Sequence, residues 1–466
     1  MRKLALVTGL ALIAGCAVGP QYEAPEVALP GTWPEHAVLE PVDADELAGW
    51  WQRFKDPALD RLVERALEEN LELRLQAARI EEARGRLGLA RAEQWPTVGV
   101  QAEASRERQP AAVFGIEDFD IPPRNLFFLS GVLNYEIDLW GRLARQRDAA
   151  AAQLDGNLHA LEAVRLALVT DVAVGYFQLR SAQRQLEITE RTLAARMESA
   201  RIERLRFEAG QIDELLLRQA ETELAGVRAE LPLRIAAVRR AESVLGILLG
   251  MSPAELLATL EFEAGEIEAV AMPDNVPAEL PAMLLERRPD LRAAEAELVA
   301  ATAGVGVAQA ARLPQLNLVG LVGLAATSPG DLFDSDAEAW SIGATVAGPL
   351  LDFGRGRARV ESAEAVREQA ELRYRASIAV AFAEVRDALV LHDTSSARLE
   401  AVETQLEALQ RTESLAEVRY REGYIGILEL LDVQRALLGA EMAMAQARAE
   451  RLAATATLFK ALGGGW

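Results

Sequence analysis

Residues 127–142 read FFLSGVLNYEIDLWGR, and the fold turns on the change of period at the end of that stretch. Phe127, Leu129, Leu133, Tyr135, Ile137 and Leu139 alternate with Ser130, Asn134, Glu136 and Asp138. A period of two over about ten residues marks a strand with one apolar and one wet face. It fits a membrane-spanning barrel strand with lipid on one side and water on the other. A half-buried strand of a soluble sheet shows the same alternation. After Leu139-Trp140-Gly141-Arg142 the period becomes seven. Val172, Leu179, Leu186, Leu193 and Ala200 form one stripe, and Leu154, Leu161 and Leu168 a companion stripe. The spacing predicts unbroken helix to about Glu208, some 68 residues or roughly 100 Å at about 1.5 Å per residue. Seven-residue repeats specify supercoiled helix-on-helix packing. A helix of that length belongs to a coiled assembly rather than a compact domain.

The same plan is written twice. Gly141-Arg142 recurs as Gly354-Arg355, an offset of 354 − 141 = 213. Arg206-Phe207-Glu208-Ala209-Gly210 recurs as Arg419-Tyr420-Arg421-Glu422-Gly423, and Leu249-Gly250 as Leu462-Gly463, both again 213 apart. Upstream, Pro96 matches Pro314 and Leu73 matches Leu291 at 218. A constant offset over such a distance is the mark of an internal duplication. Each copy reads as helix, two strands, long helix, tip and returning helix. The first helix is predicted from Leu59 to Ala92, and strands at about 96–107 and 127–139, then at 314–326 and 339–351. Val98, Val100, Ala102 and Ala104 alternate in the first strand. Leu316, Leu318, Val322 and Leu324 do so in the third, and Trp340, Ile342, Ala344, Val346 and Leu350 in the fourth. In the second long helix Val385, Leu399 and Leu406 keep the phase, while His392 and Glu413 depart from it. Pro232 is expected to bend or break the helix returning from Gly210; its counterpart is Ala445.

At the N-terminus, Arg2 and Lys3 precede an apolar run from Leu4 to Ile13, the pattern of a secretory signal. The run is too short to span a bilayer as a helix of about 20 residues. It ends in Leu12-Ile13-Ala14-Gly15-Cys16, which resembles a bacterial lipobox; Cys16 is the chain's one cysteine, so no disulfide forms within a chain. The resemblance implies cleavage before Cys16 and a covalent lipid on its sulfur. Pro20, Pro25, Pro30 and Pro34 favour an extended tether after it. The organisation expected is a signal peptide at 1–15, a lipidated tether at 16–57, a first repeat at 58–250, a linker at 251–280 and a second repeat at 281–466. Residues 114–123 read as an external loop.

A net charge of −22 argues against nucleic acid as a partner. No later segment carries 18 unbroken apolar residues, so no membrane helix is expected. Three histidines, none near the cysteine, leave no metal cluster or catalytic triad in view. No enzyme, no metal and no cofactor beyond the lipid on Cys16 are expected. In lipid every backbone polar group must be paired, so a membrane sheet closes on itself. Four strands cannot enclose a lumen, since single-chain barrels start at about eight. Several chains must share one barrel: two would supply eight strands and three would supply twelve.

Cys16-Ala17-Val18-Gly19-Pro20 resembles the start of outer-membrane factor lipoproteins, as do Trp50-Trp51, Phe54, Asp56-Pro57 and Leu59. Leu285-Glu286-Arg287-Arg288-Pro289-Asp290-Leu291, with Ala294-Glu295, is similar to the segment opening that family's second half. With the duplicated tips, the chain resembles the TolC-like outer membrane factors of the OprM/NodT efflux-lipoprotein branch over nearly its whole mature length. The resemblance implies a mainly α fold with a β-barrel section: a homotrimer whose 12-stranded barrel continues into a 12-helix α-barrel. It also implies an outer-membrane location, a periplasmic adaptor (a membrane fusion protein), an inner-membrane pump of the resistance-nodulation-division type, and export of small molecules through a passive gated duct. Leu428, Glu429 and Asp432 match the positions where the family narrows its pore, and copy one departs there with Leu216 and Gln219. Arg206, Phe207, Gly210, Arg419, Tyr420 and Gly423 match the tips that receive the adaptor or latch the closed state. The two glycines suit helix stops. Peptide or protein secretion through the same architecture, and a purely structural coiled-coil periplasmic lipoprotein, remain the alternatives.

Overall fold

The computed structural model of the chain describes residues 18–29, 49–108, 122–258, 262, 265–273 and 283–464. The signal segment, Cys16, half of the tether, residues 114–121 of the loop and part of the linker lie outside them. Helices of more than ten residues are α1 (Pro57–Glu69), α2 (Leu71–Ala92), α3 (Arg142–Glu208), α4 (Glu214–Leu248), α5 (Pro289–Ala310), α6 (Arg355–Arg421) and α7 (Ile427–Ala461). Both α3 and α6 have 67 residues, with starts 355 − 142 = 213 apart. Both α4 and α7 have 35, with starts 427 − 214 = 213 apart. Among the described residues no helix is long and apolar enough to cross a membrane.

The chain divides into two compact units: Met1–Glu26, Arg79–Leu158 and Ala293–Tyr374 in one, Val27–Ala78, His159–Arg292 and Arg375–Trp466 in the other. In the first, β1 (Thr97–Glu107), β2 (Arg124–Ile137), β3 (Gln315–Ala326) and β4 (Glu338–Ala347) form one antiparallel sheet in chain order. Its register lines up Val98, Leu133, Gly320 and Ile342 in one row and Val100, Gly131, Val322 and Trp340 in the next. Ile137, Leu316 and Val346 make another. Every alternating apolar residue within these strands therefore shares one face. The opposite face carries Thr97, Gln101, Glu103, Asn134, Asn317 and Thr345, interrupted by Phe128, Val132, Val319 and Leu321. Among the described residues β1 and β4 each pair on one side only, and their apolar rows are bare, with Val100 82% and Ile342 81% exposed.

The strand limits differ from those predicted, for local reasons. β2 starts earlier, at Arg124, whose guanidinium pairs with Glu107 across the hairpin at 2.8 Å. It stops at Ile137 because Asp138 turns to accept from the backbone N–H of Leu143 (3.1 Å) and Ala144 (2.8 Å), capping α3. β4 stops at Ala347, before Gly348-Pro349, because proline has no N–H for the ladder. Residues 18–29 run without helix or strand. Val18 N–H donates to the Trp140 carbonyl at 3.1 Å, and the Tyr22 hydroxyl donates to Glu295 at 2.6 Å.

The second unit has an apolar core in which the Trp50…Leu59 motif is central. Trp50 stacks on Phe459 at 5.3 Å and Phe54 meets Phe177 at 4.9 Å. Asp56 caps α1 by accepting from Ala58 N–H at 2.8 Å and takes a second bond, 2.5 Å, from the Tyr176 hydroxyl. Leu59, Val63, Val172, Leu179 and Leu245 are fully or nearly fully buried around them. The Arg287-Arg288-Pro289-Asp290 motif also has a structural task. Buried Arg288 donates to Asp290 (2.8 Å), Glu384 (2.5 Å) and the Ala461 carbonyl (3.0 Å), tying the last turn of α7.

Two helix expectations need correction. The predicted helix Leu59–Ala92 is broken at Asn70, whose extended backbone separates α1 from α2. Its amide donates to the Leu248 carbonyl at 2.9 Å, and its oxygen accepts from Glu72 N–H at 2.9 Å, so a local polar side chain outcompetes helical propagation. Pro232 does not break α4, which continues through it; the proline is exposed, so water can satisfy the carbonyl it leaves unpaired. The bend at Asn70 makes room for Gly250, where an added Cβ would sit 2.3 Å from the Glu69 carbonyl oxygen at φ +70°. Gly250→Val is expected to cost about 3 kcal/mol or more, because backbone must move and the left-handed angle is strained. A thermal melt within a degree of the parent's would contradict this packing.

Candidate functional site

The helix ends at Gly210 and Gly423 are built alike. Gly210 N–H donates to the Phe207 carbonyl at 2.9 Å, and Gln211 N–H reaches back to Arg206 at 2.8 Å. Gly423 repeats this with Tyr420 at 3.0 Å, and Tyr424 with Arg419 at 2.8 Å. Both glycines have positive φ, 70° and 77°, so each closes a Schellman-type stop that a side chain would strain.

Of the tip residues singled out by sequence, Arg206 and Tyr420 meet and the rest do not. Arg206 on α3 donates to the Tyr420 hydroxyl of α6 at 2.9 Å, while Phe207 and Arg419 are exposed. Sequence reading missed the group between them. Glu203, only 4% exposed, accepts from Arg206 at 3.1 Å and from Tyr420 at 3.2 Å. Burial pushes the Tyr420 hydroxyl up and Glu203 adds to it, while Arg206 opposes. The hydrogen bond to Tyr420, with Glu203 beside it, raises the Arg206 guanidinium in turn.

A signal for Glu203 existed in the heptads. The companion stripe Leu154, Leu161, Leu168 continues in steps of seven through Gly175, Ala182, Thr189, Arg196 and Glu203. Thr189, Arg196 and Glu203 are buried, so the stripe stays interior while its chemistry turns from leucine to ionic towards the tip. Arg196 donates to Gln434 of α7 at 2.6 Å, and burial lowers its guanidinium despite nearby Glu223. On α6 Glu413, the charged exception in the heptad phase, is raised by burial and by neighbouring Glu417. Buried charged groups of this kind contribute less net stability than apolar ones, and for the Arg206–Glu203 pair removing one partner is costly.

The residues after Gly423 occupy the start of α7. The Glu429 carboxylate accepts from Gly426 N–H at 3.3 Å, holding the first turn. Asp432, 68% exposed, pairs with Arg435 at 2.5 Å, and Arg435 also reaches Glu223 of α4 at 3.5 Å. Leu428 is exposed. Glu429 and Asp432 thus lie three residues apart on one exposed turn, with Leu428 beside them. Cys16 lies outside the described residues. Among the described residues no group of three or more acidic, histidine or cysteine side chains could hold a metal.

Comparison with known proteins agrees with this architecture. The model of the family described as outer membrane efflux protein matches residues 62–251 and again 280–464. The antibiotic efflux pump outer membrane protein ArpC of Pseudomonas putida is 32% identical over 99% of this chain and 95% of its own. The solvent efflux pump outer membrane protein SrpC of the same species is 33% identical over 98% and 97%. Among solved structures, the outer-membrane channel OprN superposes with a TM-score of 0.87 at 33% identity, covering 97% of this chain and all of that one. The chain belongs to the outer membrane efflux protein family, and its place is the outer membrane.

Proposed function

We propose that three copies of this chain assemble into a passive, gated exit duct of a tripartite efflux system. The observation that carries the reading is the sheet: four strands with one apolar face and unpaired edges at β1 and β4. Lipid does not tolerate bare strand edges, so β4 of one copy needs β1 of the next. Three copies supply 3 × 4 = 12 strands. From Phe127 to Ile137 the apolar face runs about ten steps of 3.3 Å; at a tilt of about 40° that covers roughly 25 Å, the height of an outer-membrane apolar band. The four long helices, α3, α4, α6 and α7, likewise become 3 × 4 = 12 around a tunnel. Their equal lengths at one offset support an internal duplication.

In this reading a lipid on Cys16 anchors the chain, and the tips with Arg206, Phe207, Gly210, Arg419, Tyr420 and Gly423 meet a periplasmic adaptor. Leu428, Glu429 and Asp432 narrow the pore. An inner-membrane pump of the resistance-nodulation-division type supplies the energy. ArpC and SrpC, by name, serve antibiotic and solvent efflux, which supports small apolar or amphiphilic compounds as the cargo here. No observation favours peptide secretion separately.

The test is covalent. Ala102→Cys on β1 combined with Ala344→Cys on β4, or with its neighbours in the row, should give on oxidation a ladder ending at three copies. A ladder ending at two would replace the trimer with a dimer. Exclusively intrachain products would refute closure between copies.

A further inference from the structure

The junctions where β2 runs into α3 and β4 runs into α6 differ in a way that the duct does not require. At the first, Arg142 forms a two-pronged pair with Glu136 at 3.0 and 2.7 Å, and the Trp140 ring N–H donates to the Pro314 carbonyl at 2.7 Å. Charge and aromatic are both satisfied within the chain. At the second, Leu350, Leu351 and Phe353 stand bare, with Leu350 fully exposed. Directly after them come Arg355 and Arg359, with Arg312 from the end of α5 beside them; all three are exposed. Among the described residues none of the three forms a side-chain hydrogen bond or a direct ion pair; Arg312 and Arg355 feel only the attraction of Asp352 across a longer distance. Asp352 spends its oxygens on the backbone N–H of Gly354 (3.0 Å) and Gly356 (2.7 Å), and those bonds, with Arg312 and Arg355 nearby, hold it below the usual carboxylate range.

This arrangement is unfavourable for an isolated chain. Neither α3 nor α6 has an acid within its first turn, and the carboxylate before each start, Asp138 or Asp352, is taken up by backbone N–H groups. Arg355 and Arg359 are four apart, so they repel along one helix face. Leu350 follows the end of β4 by three residues and stands bare, with two more bare apolar side chains after it. Apolar side chains followed by exposed arginines that form no direct ion pair match the order of layers at a bilayer surface, acyl chain and then phosphate. We propose that Arg312, Arg355 and Arg359 bind the phosphates of anionic phospholipids in the leaflet on the helix side, with Leu350, Leu351 and Phe353 set among the acyl chains. The inference rests on reading the sheet as a bilayer-spanning wall.

The full-length protein is reconstituted into nanodiscs of phosphatidylcholine with and without phosphatidylglycerol, and retained lipid is counted by native mass spectrometry. The parent should prefer phosphatidylglycerol. Triple replacement by Gln should reduce that preference by roughly fivefold per arginine, and triple replacement by Lys should largely keep it. An unchanged preference in the Gln variant would overturn the proposal. So would loss of self-association in that variant with lipid preference intact, which would identify the face as a contact between copies. Failure of the parent to enter either bilayer would instead strike at the barrel reading itself.

Discussion

A protein carrying Leu428→Ala together with Asp432→Asn is expected to leak. In planar bilayers its basal conductance should exceed the parent's by roughly a hundredfold, because an exposed ion pair and a half-exposed leucine are worth a factor of about five per copy and, in the proposed trimer, three copies would act on one gate. The structure supplies the reason for pairing the two changes. Asp432 holds Arg435, and Arg435 also leans towards Glu223 on the neighbouring helix, so the carboxylate helps fix α7 against α4. Leu428 is the apolar side chain one turn earlier. Neutralising Glu429 instead should matter less, since its carboxylate is engaged with its own helix start at Gly426. Basal currents in the double variant that match the parent's would remove α7 from the gate.

The second large effect should run the other way. Arg196→Leu with Glu203→Leu restores the leucine stripe that the first half of α3 begins. Replacing buried ionic groups by packed apolar ones is commonly neutral or stabilising by about 1–4 kcal/mol. The double variant should therefore melt several degrees higher and open less readily, seen as lower pump-dependent export at unchanged expression. Arg206→Ala alone should do the reverse, since it leaves the buried Glu203 carboxylate held only by Tyr420. A double variant that melts lower, or exports normally, would show that the ionic layers are packing and not a latch.

Several features were legible because they are local. Strand alternation at Phe127–Ile137 and helix phase at Val172–Ala200 are periodicities, which any one segment carries by itself. The tips were legible because a glycine with left-handed backbone is the cheapest way to end a helix. Asn70 was misread for a related reason: helix propensity favours continuity there, and the Leu248 carbonyl that takes its amide lies far away in the chain. Pro232 does not break its helix, because its exposure, which cannot be read from its neighbours in sequence, leaves the freed carbonyl to water. Glu203 was overlooked although its heptad position was available, since a charged residue on a long helix is ordinarily a solvated one.

What the amino-acid order determined, then, is the inventory: two matched sets of strand, strand, long helix and returning helix, a lipobox-like start, and glycine stops at equal spacing. These follow from backbone preferences and from repetition, which need no knowledge of what packs where. Only the tertiary structure decided the register that puts Val98, Leu133, Gly320 and Ile342 in one apolar row, the meeting of Tyr420 with Arg206 and Glu203, and the approach of Arg435 to Glu223. Those depend on contacts between residues tens to hundreds of positions apart, where the free energy comes from closing distances that no local pattern encodes.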